Sequence, residues 1–404
     1  MTLKSFVINY LHYQLIHPYL NISIMSKIKP GSPLLFYISS LVIIGLLFIS
    51  VSSLFEAQAS QGDPFFFLRK QALWVGIGFL LFLISSVLNL EFFRKYSFYF
   101  YLFSIILLIA VLIPGLGVKV LGARRWFDLG PINIQPSEIF KLISVIFFSA
   151  LFADPKQSTF KNLFLFLIPA FTLIVFEPNL STAILIGAIV FSIYYLSGGP
   201  NFPLFLTFLI FFVLGIGLVI FSPYRLARFK TLLNQEENPN QNYHRQQIII
   251  SLASGGWSGK GIANSDQKYK FLPKISTDSI LAIVGEETGF IGLSGLIFLF
   301  ISLVVYLFKL AKVVIKPFEK LLVSGFACWL SYQALINFSA IVSLIPLTGI
   351  PFPFISYGGS SLLTLFIAAG LVRNIEKRHL SLLYSPNANL KKNRFNRHSP
   401  HSRH

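Results

Sequence analysis

A long polar stretch, residues 222–278, separates two apolar blocks of the sequence and ends in Thr277-Asp278. The carboxylate of Asp278 therefore stands where a hydrophilic segment meets a hydrophobic one, a position where ionisable groups are costly and often functional. It could accept a proton from a substrate hydroxyl, or the pair could only cap the helix that follows. Two further acids, Glu286 and Glu287, lie about two helical turns beyond it, ~12 Å at 1.5 Å per residue.

The same polar stretch is rich in cations that could bind an anion. Arg225 and Arg228 open it, and Lys260 lies in a glycine-rich bend at residues 254–261. The bend is not a P-loop, because Ser and Gly stand where that motif has Gly and Ser or Thr, and no strand precedes it. Backbone amides near Lys260 could still hold phosphate oxygens. The alternative is a flexible, solvated loop.

A second polar group lies at residues 122–141. Arg125 could bind phosphate oxygens in the bidentate manner that suits a guanidinium, and Trp126 suits a membrane interface. The alternative is that both are interfacial anchors. Glu138 and Lys141 are three residues apart, so on a helix we expect them to pair.

Two short segments complete the candidate residues. The turn at residues 177–179 could line a cavity, or Asn179 could simply provide the N-cap of the next helix. Residues 346–361 contain three prolines and several glycines, a pattern typical of broken helix. Broken helix at membrane depth persists only where it lines a cavity or is buried in protein. If it lines a cavity, Ser356 and Tyr357 are candidate substrate-binding residues; otherwise it is a packed re-entrant turn.

The elements that position these residues are membrane helices. Of the 404 residues, 54% are hydrophobic and 12% charged, and the mean hydropathy is +0.71, whereas soluble domains have about 25% charged residues. Since a span needs about 20 apolar residues, we predict an all-α polytopic protein with about ten transmembrane helices and a large extracytoplasmic loop, 222–278, between helices 7 and 8. The spans are 34–55, 71–90, 97–114, 138–153, 161–176, 180–197, 203–221, 279–308, 322–345 and 355–373.

Charge sets the expected orientation and excludes some functions. Lys and Arg cluster in alternate loops and in the tail, which predicts that both termini are cytoplasmic. The basic residues behind the net charge of +18 then lie in loops and tails, where they orient the helices and contact anionic lipid. We therefore expect no nucleic-acid partner. The only cysteine, Cys328, excludes an intramolecular disulfide and a cysteine metal site.

Three regions follow from this pattern. Residues 1–33 form a cytoplasmic N-terminal segment in which Met25 is a candidate start, residues 34–378 form the membrane domain, and residues 379–404 form a basic tail that we expect to be disordered.

These motifs together resemble the SEDS family of shape, elongation, division and sporulation proteins, to which FtsW, RodA and SpoVE belong. The resemblance covers residues 34 to 378. Ser265 to Lys268 are nearer the FtsW branch, whereas Gly349-Ile350-Pro351 is nearer RodA, so the implied role is cell division or elongation. Its most specific pieces are Pro353 to Ser361, Gly122 to Gly130 with Gln135 to Glu138, and Leu272-Pro273 with Thr277-Asp278 followed by Gly285 to Gly292.

The resemblance implies a ten-helix peptidoglycan glycosyltransferase of the bacterial cytoplasmic membrane. Such proteins join the disaccharide-pentapeptide units of lipid II at the outer face, together with a class B penicillin-binding protein. Asp278 matches the essential aspartate of the family, and Arg125 and Trp126 match an outer-loop pair implicated in activity. The chain departs from the family pattern at Lys274, Ser276 and Asn179, so roles of an acid or histidine there do not transfer.

We therefore expect Asp278 to act as general base, with a cationic set to stabilise the departing pyrophosphate. That set comprises Arg125, Arg225, Arg228 and Lys260, and a divalent cation, Mg or Mn, could assist it. Glu138, Lys141, Glu286 and Glu287 are expected to support the site. Two alternatives remain from the sequence: a lipid II flippase, which would need a polar path across the whole bilayer, and an inactive scaffold for a class B penicillin-binding protein.

Overall fold

The computed structural model describes residues 32–120, 123–128, 130, 133–199, 239–265 and 279–384. Nine of the ten predicted spans coincide with helices there, and the seventh, 203–221, lies outside the described residues. The elements are α1 (Pro33–Ser52), α2 (Leu54–Gln61), α3 (Phe66–Ser85), α4 (Leu90–Lys95), α5 (Ser97–Leu112), β1 (Val118–Val120), β2 (Ala123–Asp128), β3 (Asn133–Ile134), α6 (Pro136–Phe152), α7 (Phe160–Phe176), α8 (Leu180–Leu196), α9 (Pro239–Gly255), α10 (Ile280–Val313), α11 (Pro317–Ile341) and α12 (Gly359–Tyr384).

Length and composition show which of these helices can span a membrane. Among the described residues, α1, α3, α10 and α11 are long and apolar enough to cross, and α5, α7 and α8 are shorter apolar helices. Local signals start several of them: the Ser32 hydroxyl accepts a hydrogen bond from the Leu35 amide at the beginning of α1. Proline stands in the first turn of α1, α6 and α11, where its missing amide is not needed.

The helices pack as a bundle with α6, α11 and α12 at its centre, since these bury most of their side chains. The most extensive contact is between α3 and α12. It is close because a Cβ added at Gly78 would stand 2.3 Å from the Phe366 ring, so the small residue admits the neighbouring helix.

One end of the bundle carries a small antiparallel sheet in the order β1-β2-β3; we call it the sheet end. The expected all-α membrane fold is confirmed, and this small sheet is an addition that the sequence did not predict. The strands form because the connection between α5 and α6 must turn back on itself, and hydrogen bonding between its own segments satisfies its backbone. At the opposite end, the buried Glu376 of α12 accepts hydrogen bonds from Ser32, which precedes α1, and from Tyr306 of α10.

The polar stretch 222–278 is not only a loop. Residues Pro239–Gly255 form α9, which packs along α10. The sequence did not predict this helix, because its residues show almost no amphipathic pattern. Even so, Ile248 and Ser251 on it are buried. Helix α12 also extends past residue 379, where the tail was expected to begin, and ends at Tyr384.

Candidate functional site

Arg125 links the sheet to a turn between two helices. From β2, its Nε donates a 2.7 Å hydrogen bond to the backbone carbonyl of Glu177, and its Nη2 donates a 2.5 Å bond to the carbonyl of Pro178. Trp126, the next residue of β2, is half-buried and lies opposite Val118 of β1. The guanidinium therefore holds the sheet against the α7–α8 turn, with part of its five-donor capacity.

The side chain of Glu177 is fully buried in that turn. Neither carboxyl oxygen has a hydrogen-bond partner, and burial raises the pKa of Glu177 to about 8, against the opposing effect of the Arg125 charge. Asn179 occupies the N-cap position of α8, as expected. The prediction that its side chain caps the helix is wrong, because that side chain makes no capping hydrogen bond.

The segment 346–358 is a broken re-entrant stretch whose backbone is held by polar side chains of α11. Gln333 Nε2 donates to the Pro351 carbonyl at 2.9 Å, and Asn337 Nδ2 donates to the Ile350 carbonyl at 2.8 Å. Within the segment, the Ser356 hydroxyl accepts the Phe352 amide at 2.9 Å. The carbonyls that a broken helix leaves without partners are thus satisfied inside the protein.

Further contacts tie the same segment to α3, and tie the start of α12, which follows the segment directly, to the sheet. Gln71 bonds the carbonyl of Ser356 and the amide of Gly358, each at 3.4 Å, and the Tyr357 ring packs edge-on against a phenylalanine of α3. The Ser360 hydroxyl donates to the Asn133 carbonyl of β3 at 2.9 Å and accepts the following Gln135 amide at 3.2 Å.

A buried ion pair lies beneath this segment, as expected from the spacing of its members. Lys141 Nζ is 2.7 Å from Glu138 Oε2, and both side chains are almost entirely buried. Lys141 also donates to Gln333 Oε1 at 3.2 Å, and that oxygen accepts the Trp329 indole N–H at 2.7 Å. Gln333 therefore joins the ion pair to the re-entrant carbonyl at Pro351.

Glu286 is fully buried in α10 and is surrounded by donors from the 239–265 region. Lys260 Nζ lies 2.9 Å from its Oε1. The hydroxyls of Ser251, Ser254 and Ser265 donate to its two oxygens at 3.0, 3.4 and 2.5 Å. The neighbouring Glu287 is also buried.

The glycine-rich bend does not offer its amides to phosphate, and that expectation is wrong. The Gly259 amide donates to the Gly255 carbonyl at 2.8 Å, and the amides of Lys260 and Gly261 donate to the carbonyls of Glu286 and Glu287, each at 3.0 Å. These donors are used within the chain because the bend lies directly against α10.

Asp278, Arg225 and Arg228 lie outside the described residues. Asp278 immediately precedes Ser279, the N-cap residue of α10. That helix runs from the sheet end toward the opposite end, where its Tyr306 meets Glu376. Among the described residues, no group of three or more His, Cys, Asp or Glu is placed to hold a metal ion.

Three polar residues of the site were missed from the sequence: Gln71, Gln333 and Asn337. Each is a polar amide inside an otherwise apolar helix, and such residues in membrane spans usually face protein rather than lipid. That signal could have identified them.

Comparison with known proteins gives consistent matches over most of the chain. The model of the family described as cell cycle protein, covering FtsW, RodA and SpoVE, matches residues 32–380. Two similar relatives are each named probable peptidoglycan glycosyltransferase FtsW. The one from Francisella salina is 31% identical over 87% of this chain and 90% of its own length. The one from Saccharophagus degradans is 34% identical over 85% and 91%.

Solved structures match as well. A chain from a peptidoglycan synthase complex that coordinates polymerization and crosslinking has a TM-score of 0.70 and 26% identity, covering 86% of this chain and 97% of its own. The rod shape determining protein RodA of Thermus thermophilus has a TM-score of 0.63 and 25% identity, covering 86% and 96%.

Proposed function

The chain belongs to the SEDS family of cell cycle proteins that includes FtsW, RodA and SpoVE, and we infer from this that it is a peptidoglycan glycosyltransferase of the FtsW-like branch. It is a multi-pass membrane enzyme that polymerises glycan strands. The observation that best supports this activity is that three of the motifs identified in the sequence contact one another or their neighbours at the sheet end. There Arg125 holds the 177–178 turn, Ser360 holds β3 and Gln71 holds the segment around Ser356.

We propose lipid II as the substrate and the outer face of the bacterial cytoplasmic membrane as the place of reaction. This requires the sheet end to face outward, with both termini in the cytoplasm. The distribution of Lys and Arg in the loops supports this orientation. The polyprenyl tail of lipid II stays in the bilayer, so its pyrophosphate and sugars would reach the sheet end at the membrane surface.

The proposed chemistry is attack of a sugar hydroxyl on an anomeric carbon, with departure of the lipid pyrophosphate. Asp278 accepts the proton of the attacking hydroxyl. Cations stabilise the negative charge that develops on the leaving pyrophosphate. Arg225, Arg228 and Arg125 remain in this cationic set, the last through its charge.

Lys260 leaves the pyrophosphate set. Its ammonium pairs with the buried Glu286 carboxylate at 2.9 Å, and removing one partner of a buried pair leaves an uncompensated charge. A divalent cation, Mg or Mn, stays part of the proposal only as a companion of the substrate pyrophosphate, and no step depends on it.

The proposed partner is a class B penicillin-binding protein, whose transpeptidase would crosslink the new strands. The similarity to a chain of a peptidoglycan synthase complex supports this pairing.

The test is polymerisation by the purified chain, alone and with its transpeptidase partner, on labelled lipid II with Mg²⁺ or Mn²⁺. Long glycan strands on a gel are the expected product. Asp278→Ala should abolish them, with Asp154→Ala, an acid in the turn between α6 and α7, as the control. A chain that moved lipid II across vesicles and formed no strands would be a flippase. Normal polymerisation by Asp278→Ala would reject the general base.

A further inference from the structure

Helix α10 is broken at Gly289, close to the end that carries Asp278. Gly289 has φ 66° and ψ −168°, which no helix contains. A break of this kind leaves carbonyls of the first helical piece and amides of the second without intrahelical partners. In a membrane protein those groups must be satisfied within the protein.

The bend after α9 supplies the missing partners. The amides of Lys260 and Gly261 donate to the carbonyls of Glu286 and Glu287 on the first side of the break. On the other side, the amides of Phe290 and Ile291 donate to carbonyls of the bend at 2.9 and 3.1 Å. Four backbone hydrogen bonds therefore cross between the bend and α10.

Glycines make this approach possible. A Cβ at Gly255 would lie 2.1 Å from the Gly285 carbonyl oxygen, and one at Gly259 would lie 2.2 Å from the Glu287 carbonyl oxygen. A Cβ at Gly289 would lie 2.3 Å from the Gly259 amide nitrogen. Real side chains do not reach such distances, so the two backbones are in direct contact.

The Glu286 carboxylate adds an ion pair and side-chain hydrogen bonds to the contact between the bend and α10. It receives Lys260 from the bend, Ser251 and Ser254 from α9, and Ser265 from the residues that follow the bend. Ser265 is the last described residue before segment 266–278, and α10 begins just after that segment. The segment that contains Asp278 is therefore preceded by a residue that donates to Glu286 and followed by the helix that carries Glu286.

We propose that Glu286 is a positioning residue for polymerisation: with Lys260 and the Gly255, Gly259 and Gly289 contacts, it forms a latch between the 239–265 region and α10 that sets the position of the chain around Asp278. The inference rests on the proposed function, because it assigns the consequence of the latch to the general base. A displaced general base lowers turnover more than substrate affinity, since a misplacement of about 1 Å can reduce rates about 100-fold.

The test compares variants of the full chain in complex with its transpeptidase partner. Glu286→Gln removes the charge of the latch, and Gly259→Ala opens it sterically without changing charge. Gly62→Ala is the matched control: Gly62 has φ 70°, close to the 78° of Gly259, but nothing lies within 4 Å of its added Cβ. The backbone cost of the substitution is thereby the same, and only the contact differs.

Two measurements are made on each variant. Hydrogen exchange of peptides covering 255–265 and 286–295, without lipid II, reports whether the latch is closed. Steady-state polymerisation reports kcat and KM for lipid II. We expect Glu286→Gln and Gly259→Ala to exchange faster in both peptides and to lose about 10- to 100-fold in kcat, with KM within about twofold. Gly62→Ala should match the wild type in both measurements.

Two further variants distinguish loss of the Lys260–Glu286 contact from the effect of leaving one buried charge without a partner. Lys260→Arg keeps the ion pair and should retain turnover, whereas Lys260→Met/Glu286→Gln balances the charge without the pair and should stay slow. Faster exchange with unchanged kcat in Glu286→Gln would overturn the positioning role, and unchanged exchange would overturn the latch itself. Failure of the proposed function is distinguishable, because it appears as an inactive wild type or an active Asp278→Ala while the exchange result stands by itself.

Discussion

The guanidinium of Arg125 donates to the backbone carbonyl of Glu177, and this bond connects the sheet to the α7–α8 turn. Two segments 52 positions apart in the chain are thereby joined at the sheet end. The donors span two successive carbonyls, those of Glu177 and Pro178. The contact therefore depends on the fork shape of a guanidinium and not only on its charge.

Replacing Arg125 by Lys should lower the polymerisation rate about tenfold. Lysine keeps the charge, but its single ammonium cannot reproduce the two donors, and hydrogen bonds from charged groups contribute about 1.5–3 kcal/mol each. The measurement is the initial rate of strand formation from labelled lipid II. The control is Arg69→Lys at an exposed pair with Asp63, which should keep its rate. Equal rates for Arg125→Lys and the wild type would show that the fork is not needed.

Glu177 should make stability depend on pH. Its folded pKa is raised to about 8 by burial, so the folded state holds the proton more tightly than the unfolded chain. Stability from this group is complete below about pH 4.5 and is lost as pH rises through about 8. Glu177→Gln cannot ionise, and its melting temperature should exceed that of the wild type by more at about pH 8.5 than at about pH 5. A melting-temperature difference that stays constant over this range would contradict the raised pKa.

The buried pair Glu138–Lys141 should respond more strongly to one substitution than to two. Lys141→Met leaves the buried carboxylate without its ion partner and should cost about 3–5 kcal/mol. Lys141→Met/Glu138→Gln should cost less, because no buried charge remains. Thermal unfolding in detergent measures both. Arg94→Met, at an exposed pair with Glu91 and a 3.4 Å separation, should cost about 1 kcal/mol or less. A double variant less stable than Lys141→Met would refute this account.

Two adjacent serines should differ although both are buried. Ser360 donates to Asn133 and accepts from Gln135, whereas the Ser361 hydroxyl has no hydrogen-bond partner. Ser360→Ala should therefore lower the melting temperature and slow polymerisation, because the start of α12, directly after the re-entrant segment, loses its tie to β3. Ser361→Ala should be neutral or slightly stabilising. The reverse order of melting temperatures would show that the Ser360 contacts do not hold the segment.

Helix glycines provide a fifth test of how the re-entrant segment is seated. A Cβ at Gly45 of α1 would lie 2.8 Å from the Ile355 carbonyl oxygen, whereas one at Gly76 of α3 meets nothing within 4 Å. Gly45→Ala should thus displace the segment and reduce both stability and polymerisation. Gly76→Ala should gain up to about 1 kcal/mol from helix propensity. If Gly45→Ala were as stable as Gly76→Ala, α1 would not press on the segment.

The sequence by itself determined the membrane helices and the ion pair. Apolar runs of about 20 residues leave a helix as the only structure that satisfies the backbone in lipid, so nine spans coincide with helices in the described residues. The i,i+3 spacing of Glu138 and Lys141 places both on one helix face, and local geometry alone brings them together.

Only the tertiary structure decided what the polar segments do. From the sequence, the amides of the glycine-rich bend could have bound phosphate. In the structure, those of Lys260 and Gly261 donate to the carbonyls of Glu286 and Glu287, because α10 breaks at Gly289. Lys260 looked like an anion-binding cation and proved to be the partner of a buried acid. Composition and spacing identify which groups need partners, but the choice among distant partners depends on how the helices pack, since each contact joins segments that the local sequence does not relate.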